Sequence, residues 1–278
     1  MDNLFIDILR DSQRTRTGTA SINILNYSTA RAIIEAAEQA RRDVILQPSS
    51  STVKSYGVQP IFDMVQILRK NARVRVALHL DHCRDTALAL ACVDAGWDAV
   101  MMDFSALPLQ QNIEKTGEVV RYAHARGVAV EGEIGVISGV EDEISGGAGS
   151  AANYDDTVAF VKASGIDAIA PAIGTAHGVY KHAPKLNYEL VEQLGRRETP
   201  LVVHGGTGLS EETFHKLVAL GAAKINISTA LKNIYLNTAR ELLKTDIAPV
   251  KFDLAVYEAC RNEMSKYIRL FGGEDVKL

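Results

Sequence analysis

The stretch VRVALHLDHCRDTALALACVDAGWDAVMM, residues 74–102, reads as one complete structural unit and the start of the next. VRVALHL (74–80) is a short apolar run of the kind that forms a strand buried on both faces. Residues 85–95 carry apolar side chains at helical spacing. Gly96 stands where a left-handed residue ends a helix, and DAVMM (98–102) opens the next apolar run.

The same alternation recurs to either side. Further apolar runs lie at 19–25, 43–47, 128–134, 167–173, 200–204 and 223–228. Helical patterns lie between and after them, at 28–41, 60–71, 109–126, 155–164, 187–196, 210–220 and 230–244. Gly127, Gly165 and Gly221 each follow a helical stretch as Gly96 does. Eight strand-helix units in series imply a parallel sheet, and eight is the number that closes. The expected fold is therefore α/β, a (β/α)8 TIM barrel. It spans 1–278 as one domain, with a helical extension over 250–278 that caps the barrel or docks on a neighbouring subunit. An open doubly wound sheet is the alternative, but no GxGxxG follows the first strand. Residues 135–153 are rich in Gly and Ser and read as a long mobile loop; 174–187 read as a second loop.

The chain has 278 residues, 47% apolar and 23% charged, a globular profile. A net charge of −4 supplies no basic field for nucleic acid. No apolar run approaches a membrane span. Three cysteines without CxxC spacing fit a reducing cytoplasm better than a disulfide framework. MDNLFIDILRDSQRTRTG at the N-terminus has no apolar signal core.

In a barrel of this kind the chemistry collects at the C-terminal ends of the strands. The third strand ends in His79-Leu80-Asp81-His82, the fourth in Asp103 and the fifth in Glu131-Gly132-Glu133. The sixth leads to His177 and Gly178, the seventh to His204-Gly205-Gly206-Thr207-Gly208, the eighth to Asn226-Ile227-Ser228-Thr229. His82, His177 and His204 at one rim suit zinc with an open position; singly, each could be a core or turn histidine. His79 fits a supporting place beside them, whereas His124 and His215 fall on helices. Asp81 is an acid/base candidate or, more plainly, a helix N-cap. Glu131 and Glu133 share one strand face and need a cation nearby if buried. The Gly- and hydroxyl-rich ends of the last two strands suit a phosphate, or an ordinary turn. Lys224 starts the eighth strand at the end away from this rim, so no lysine is expected beside the site.

ALHLDHC (77–83), EGEIGVISGVEDE (131–143), AIGTAHGVYK (172–181), LVVHGGTGL (201–209) and KINIST (224–229), in this order, resemble the class II fructose/tagatose-bisphosphate aldolases over nearly the whole chain. The resemblance implies one catalytic Zn2+ per subunit on His82, His177 and His204. It implies proton exchange at the substrate C4 hydroxyl by Asp81, and at the dihydroxyacetone phosphate carbon by Glu141. Glu133 matches a carboxylate linked to an alternative, more buried metal position, and Asp103 a nearby carboxylate of the metal shell. Gly178, Lys181, Gly205, Thr207, Asn226, Ser228 and Thr229 match phosphate and donor contacts, with Gly206 and Ile227 beside them. Asn23, Gln47 and Ser49 match rim residues near the substrate. A monovalent cation near Gly178 and Gly205, and a homodimer or homotetramer, also follow from the resemblance.

The implied reaction is reversible cleavage of a ketose 1,6-bisphosphate, or a related ketose 1-phosphate, to dihydroxyacetone phosphate and an aldehyde. A divalent cation stabilises the enediolate left on the ketone fragment, which makes a Schiff-base lysine unnecessary. Cys83 stands where Gly is usual, and Phe104 and Ala106 replace a Gly and a His of many relatives; Pro48-Ser49-Ser50-Ser51 also departs from the common pattern. These changes point to an unchanged donor half and a different aldehyde half. The rival readings are a zinc hydrolase, whose HxH pair the first strand lacks, and a non-catalytic partner subunit of an aldolase.

Overall fold

The computed structural model describes residues 3–141, 144–146, 149–178, 180 and 184–278, with backbone alone for 140, 141 and 144–146. Helix α1 (Leu4–Thr15) precedes the first strand. There follow β1 (Thr19–Ile22), α2 (Tyr27–Ala40), β2 (Val44–Leu46), the pair α3 (Ser50–Tyr56) and α4 (Val58–Arg69), and β3 (Val76–Cys83). Then come α5 (Thr86–Asp94), β4 (Ala99–Met102), α6 (Leu109–His124) and β5 (Ala129–Ile134). A hairpin of β6 (Ser138–Glu141) and β7 (Ile144–Gly146) precedes α7 (Tyr154–Ser164) and β8 (Ala168–Pro171). Short β9 (Ala176–His177) leads to α8 (Tyr188–Gly195), β10 (Leu201–Val203), α9 (Glu211–Ala219), β11 (Ala222–Ile227), α10 (Thr229–Leu242) and α11 (Pro249–Phe271).

Eight parallel strands close the barrel in the order β1-β11-β10-β8-β5-β4-β3-β2. The closed ring is the TIM barrel expected from the eight units, and the open-sheet alternative falls. Strand periodicity then sorts the side chains. On β3, Val76, Leu78 and Leu80 join the apolar layer under the helices. The alternate residues Ala77, His79 and Asp81 are buried on the other face, where Ala77 packs with the interior cluster. Helices α2 and α11 pack against the outside of the barrel; Tyr257 of α11 hydrogen-bonds Glu35 of α2. No helix among the described residues is long and apolar enough to cross a membrane.

Two local expectations need correction, and two helices stand where none was expected. Residues 135–153 are not all loop: β6 and β7 pair antiparallel, and β6 pairs in parallel with β9 from within 174–187. Helix α3 occupies 50–56, where Ser49 caps it by accepting from Thr52 N. Strand β3 runs on through Asp81 and His82 to Cys83. Asp81 is therefore not a helix cap; that role falls to Asp85, which accepts from Leu88 N at 3.2 Å.

The second unexpected helix is α1. Phe5, Ile8 and Leu9 recur at helical spacing and bury among Ala77, Ala99, Ala129, Ala168 and Ala223 of the strands. Small strand residues leave the room that the helix fills. Asn3 fastens it: its Oδ1 accepts from Ile6 N at 3.2 Å, and its Nδ2 donates to Asp98 O at 2.8 Å and Gly127 O at 2.9 Å. Asn3→Ala removes the cap and takes one donor from each of two carbonyls, of which Asp98 O keeps Ala129 N. The expected cost is about 1–2 kcal/mol, read as a lower denaturation midpoint; an unchanged midpoint would mean the cap contributes nothing.

Candidate metal and substrate site

His82 follows the inward row of β3, where a register shift separates Leu80 from Cys83 in the pairing with β4. Its φ is +39°, a left-handed value rare for a residue with a side chain. Backbone strain of this kind gathers at functional positions. His177 arrives on β9, and His204 directly follows β10. The three rings lie edge to face, with centroids 4.9 Å apart for His82–His177 and 4.5 Å for His82–His204. One ring nitrogen from each lies within 4.8 Å of the other two.

A second group shares His82. Its Nδ1 stands 3.7 Å from Asp103 Oδ2 and 3.7 Å from Glu133 Oε2, while its Nε2 faces His204 Nδ1 at 2.7 Å. Burial alone would lower the His82 pKa, yet Asp81, Asp103 and Glu133 outweigh it and hold it well above the ordinary value. Burial and the neighbouring Asp103 push Glu133 well up. His82 Nδ1 and Glu133 Oε2 are buried without a hydrogen-bond partner among the described residues. Unmatched donors and acceptors within a pocket of negative potential fit a cation. Three imidazoles fit zinc with an open position.

The supporting groups lie deeper in the lumen. Burial would raise the Glu131 carboxyl, but Lys224, His79 and His204 hold it well below the usual range. An ionised carboxylate can only accept, so His204 donates its Nε2–H to Glu131 Oε1 at 2.8 Å, which leaves Nδ1 facing His82. Burial with His82 alongside takes the His204 ring down to about 3. Lys224 is not remote, contrary to expectation. Its Nζ lies 2.9 Å from Glu131 Oε2 and donates to Asn226 Oδ1 at 2.8 Å, fully buried. His79 lies beneath, its ring stacked on Phe5 at 4.9 Å. His124 pairs with Asp167 and His215 with Asp275, both on helices.

Asp81 is held by amides. Asn23 Nδ2 donates to its Oδ2 at 3.0 Å and Asn226 Nδ2 to its Oδ1 at 3.3 Å. Gln47 Nε2 in turn donates to Asn23 Oδ1 at 2.9 Å, and Ser21 Oγ donates to Gln47. Ser105 escaped the sequence reading: its Oγ lies 2.6 Å from Asp103 Oδ1 and 3.1 Å from Glu133 Oε1. Arg84 escaped it too, donating from Nε and Nη2 to Asp103 Oδ2 at 3.1 and 2.9 Å. Both sit in loops, where no periodicity announces a partner.

A cleft lined by His177, Gly178, Gly205, Gly206, Thr207, Asn226, Ser228 and Thr229 opens beside the histidines. Gly205 has φ +69°, and a Cβ on Gly206 would stand 2.8 Å from Asn226 O. Only glycine allows the turn and the close approach. Ser228 Oγ is buried without a partner among the described residues, and Ser228 makes no side-chain cap to α10. A helix N-terminus with a spare hydroxyl suits an anion. Thr207 is already engaged, accepting from Ala230 N at 3.2 Å. Ile227 packs in the apolar layer, so only its backbone faces the cleft region. Ser49 Oγ caps α3, and the Ser49 backbone pairs across a single bridge with Asp81. Lys181 and His182 lie outside the described residues, and Glu141 is described by its backbone alone.

The family model for class II fructose-bisphosphate aldolase matches residues 4–276. The chain belongs to the class II fructose-bisphosphate aldolase family. The sulfofructosephosphate aldolase of Alkalicoccus urumqiensis is 34% identical over 276 residues, 96% of either chain. The fructose-bisphosphate aldolase of Geobacillus stearothermophilus is 38% identical over 244 residues, covering 86% of this chain and 85% of the relative. The crystal structure of the YdjI aldolase from Escherichia coli K12 aligns with a TM-score of 0.86 at 29% identity, covering 96% of each chain. Aldolases of this class are lyases, and this chain is one of them. Zinc use goes with the family.

Proposed function

We propose that this aldolase cleaves fructose- or tagatose-1,6-bisphosphate, or a related ketose 1-phosphate, to dihydroxyacetone phosphate and an aldehyde. The observation that carries the reading is the convergence of His82, His177 and His204 beside Asp81 and the glycine-lined cleft. Zinc, when held by the three histidines, supplies a Lewis acid for the charge that develops on the ketone fragment. Asp81 takes the proton of the C4 hydroxyl, oriented by Asn23 and Asn226. Glu141 moves the proton at the carbon of the ketone fragment. The donor phosphate rests against Gly178, Lys181, Gly205, Gly206, Thr207, Asn226, Ser228 and Thr229, with the Ile227 backbone. Asn23 and Ser49 face the aldehyde half, where the departures at Cys83, Phe104 and Ala106 support a changed acceptor.

The proposal extends to a single-domain cytoplasmic enzyme with a monovalent cation near Gly178 and Gly205. Three free, buried cysteines accord with a reducing compartment. Exposed Leu236, Leu243, Val250 and Leu254 on and between α10 and α11 support a homodimer or homotetramer.

The test is turnover of a panel of ketose 1-phosphates by zinc-loaded protein, with dihydroxyacetone phosphate as the readout. A chelator is expected to abolish turnover and zinc to restore it. Borohydride is expected to trap nothing, because Lys224, the fully buried lysine among the described residues, is engaged by Glu131 and Asn226. A trapped adduct on Lys224 would overturn the mechanism, and zinc loading without turnover would favour a non-catalytic subunit.

A further inference from the structure

His82 stands between two donor sets that use opposite edges of its ring. Nε2 faces His204 Nδ1, within the three-histidine set. Nδ1 faces Asp103 Oδ2 and Glu133 Oε2, the set with two carboxylates. Both sets place three donors within 4.8 Å of one another. A neutral imidazole gives a lone pair from one nitrogen and a proton from the other, so the sets compete for one ion. With a metal on Nε2, the carboxylates receive the Nδ1 proton and orient the ring. With a metal on Nδ1, they are ligands themselves. On charge alone, two carboxylates attract a dication more strongly than two further neutral imidazoles do.

We infer that Arg84 decides this competition in favour of the three histidines. The oxygen that Asp103 turns toward His82 Nδ1 is Oδ2, and Arg84 occupies that same oxygen with two N–H groups, at 3.1 and 2.9 Å. Ser105 holds the other oxygen, with Oγ at 2.6 Å and the backbone N at 3.3 Å. The guanidinium offsets the charge of Asp103 and fills the acceptor positions that a metal would need. Asp103 is buried at 1% side-chain exposure while Arg84 is 42% exposed, so the cation reaches in from the rim to a carboxylate that cannot move out to meet it. Arg84 is a positioning residue: it touches no ion, and it acts through Asp103. The inference rests on the metal reading proposed above.

Cobalt replaces zinc for the test, because its visible absorption reports coordination directly. The wild-type protein is expected to show the intense bands of a four-coordinate site, and X-ray absorption at the cobalt edge is expected to count three imidazoles. In Arg84→Met the ion is expected to shift to the carboxylate set. The visible bands then fall several-fold, as carboxylates raise the coordination number, and the imidazole count drops from three to one. Arg84→Lys is expected to keep the wild-type spectrum, since a cation still reaches Asp103. In Arg84→Met/Asp103→Asn the competing charge is gone, and the wild-type spectrum returns. Circular dichroism confirms the fold of each variant, and Arg84→Gln stands in if the methionine variant does not fold. An Arg84→Met spectrum equal to wild type overturns the inference, as does failure of Asp103→Asn to restore it. Wild-type protein that takes up no cobalt overturns the metal reading itself, a result distinct from both.

Discussion

Asp81→Ala is expected to lower turnover by about 10²–10⁴-fold while metal content stays at the wild-type level. The expectation follows from how Asp81 is held. It belongs to neither of the two donor groups around His82, although the two residues are adjacent in β3. Its oxygens take hydrogen bonds from Asn23 and Asn226, two amides that stay neutral. Ser21, Gln47 and Asn23 form a hydrogen-bonded row that fixes the orientation of the Asn23 amide. Asp81→Asn keeps the size and some of these bonds but removes the base, so it should be as inactive as the alanine variant. Metal analysis beside steady-state rates separates the roles. Loss of metal along with activity would make Asp81 a structural support for His82 instead.

Lys224→Met is expected to destabilise the protein by about 3–5 kcal/mol. The variant keeps most of the length of the side chain and removes the charge. Glu131 would remain ionised at full burial with Oε2 stripped of the cation 2.9 Å away. An uncompensated buried charge costs far more than the pair itself is worth. Asn226 Oδ1 would lose its donor as well. Chemical denaturation followed by circular dichroism reads the change. Lys224→Met/Glu131→Gln should recover part of the loss, since glutamine can still accept from His204. A double variant no more stable than the single one would show that packing, not charge, is what Lys224 contributes.

The sequence carried the barrel because each strand is a compact apolar run closed off by a helix with recognisable ends. Asn26, Asp85 and Ser210 cap helices where polar residues precede apolar periodicity. His82 and His204 were legible because a strand end in this fold is a place as well as a pattern. Lys224 misled for the opposite reason. Counted along the chain it starts a strand, but its side chain turns into the lumen and reaches toward Glu131, across a ring whose middle is polar. Chain distance says nothing about that span. Helix α1 did leave a trace: Asn3 as cap, then Phe5, Ile8 and Leu9 at helical spacing. Charged residues interleave with these apolar ones, so the segment has no continuous apolar core. The Arg84–Asp103 and Ser105–Asp103 contacts depend on loop paths that no local rule predicts.

The small sheet above the rim ties two parts of the chain together. Ser138 pairs with Ala176 and Gly139 with His177, so the segment leading to Glu141 and the segment carrying a histidine of the rim share one ladder. A Cβ on Gly139 would stand 2.3 Å from His177 O, which shows how tightly the two backbones run. They form a splint. The arm that carries an acid cannot swing away at this point without bending the arm that carries an imidazole, so occupancy at one and posture at the other are joined by backbone hydrogen bonds.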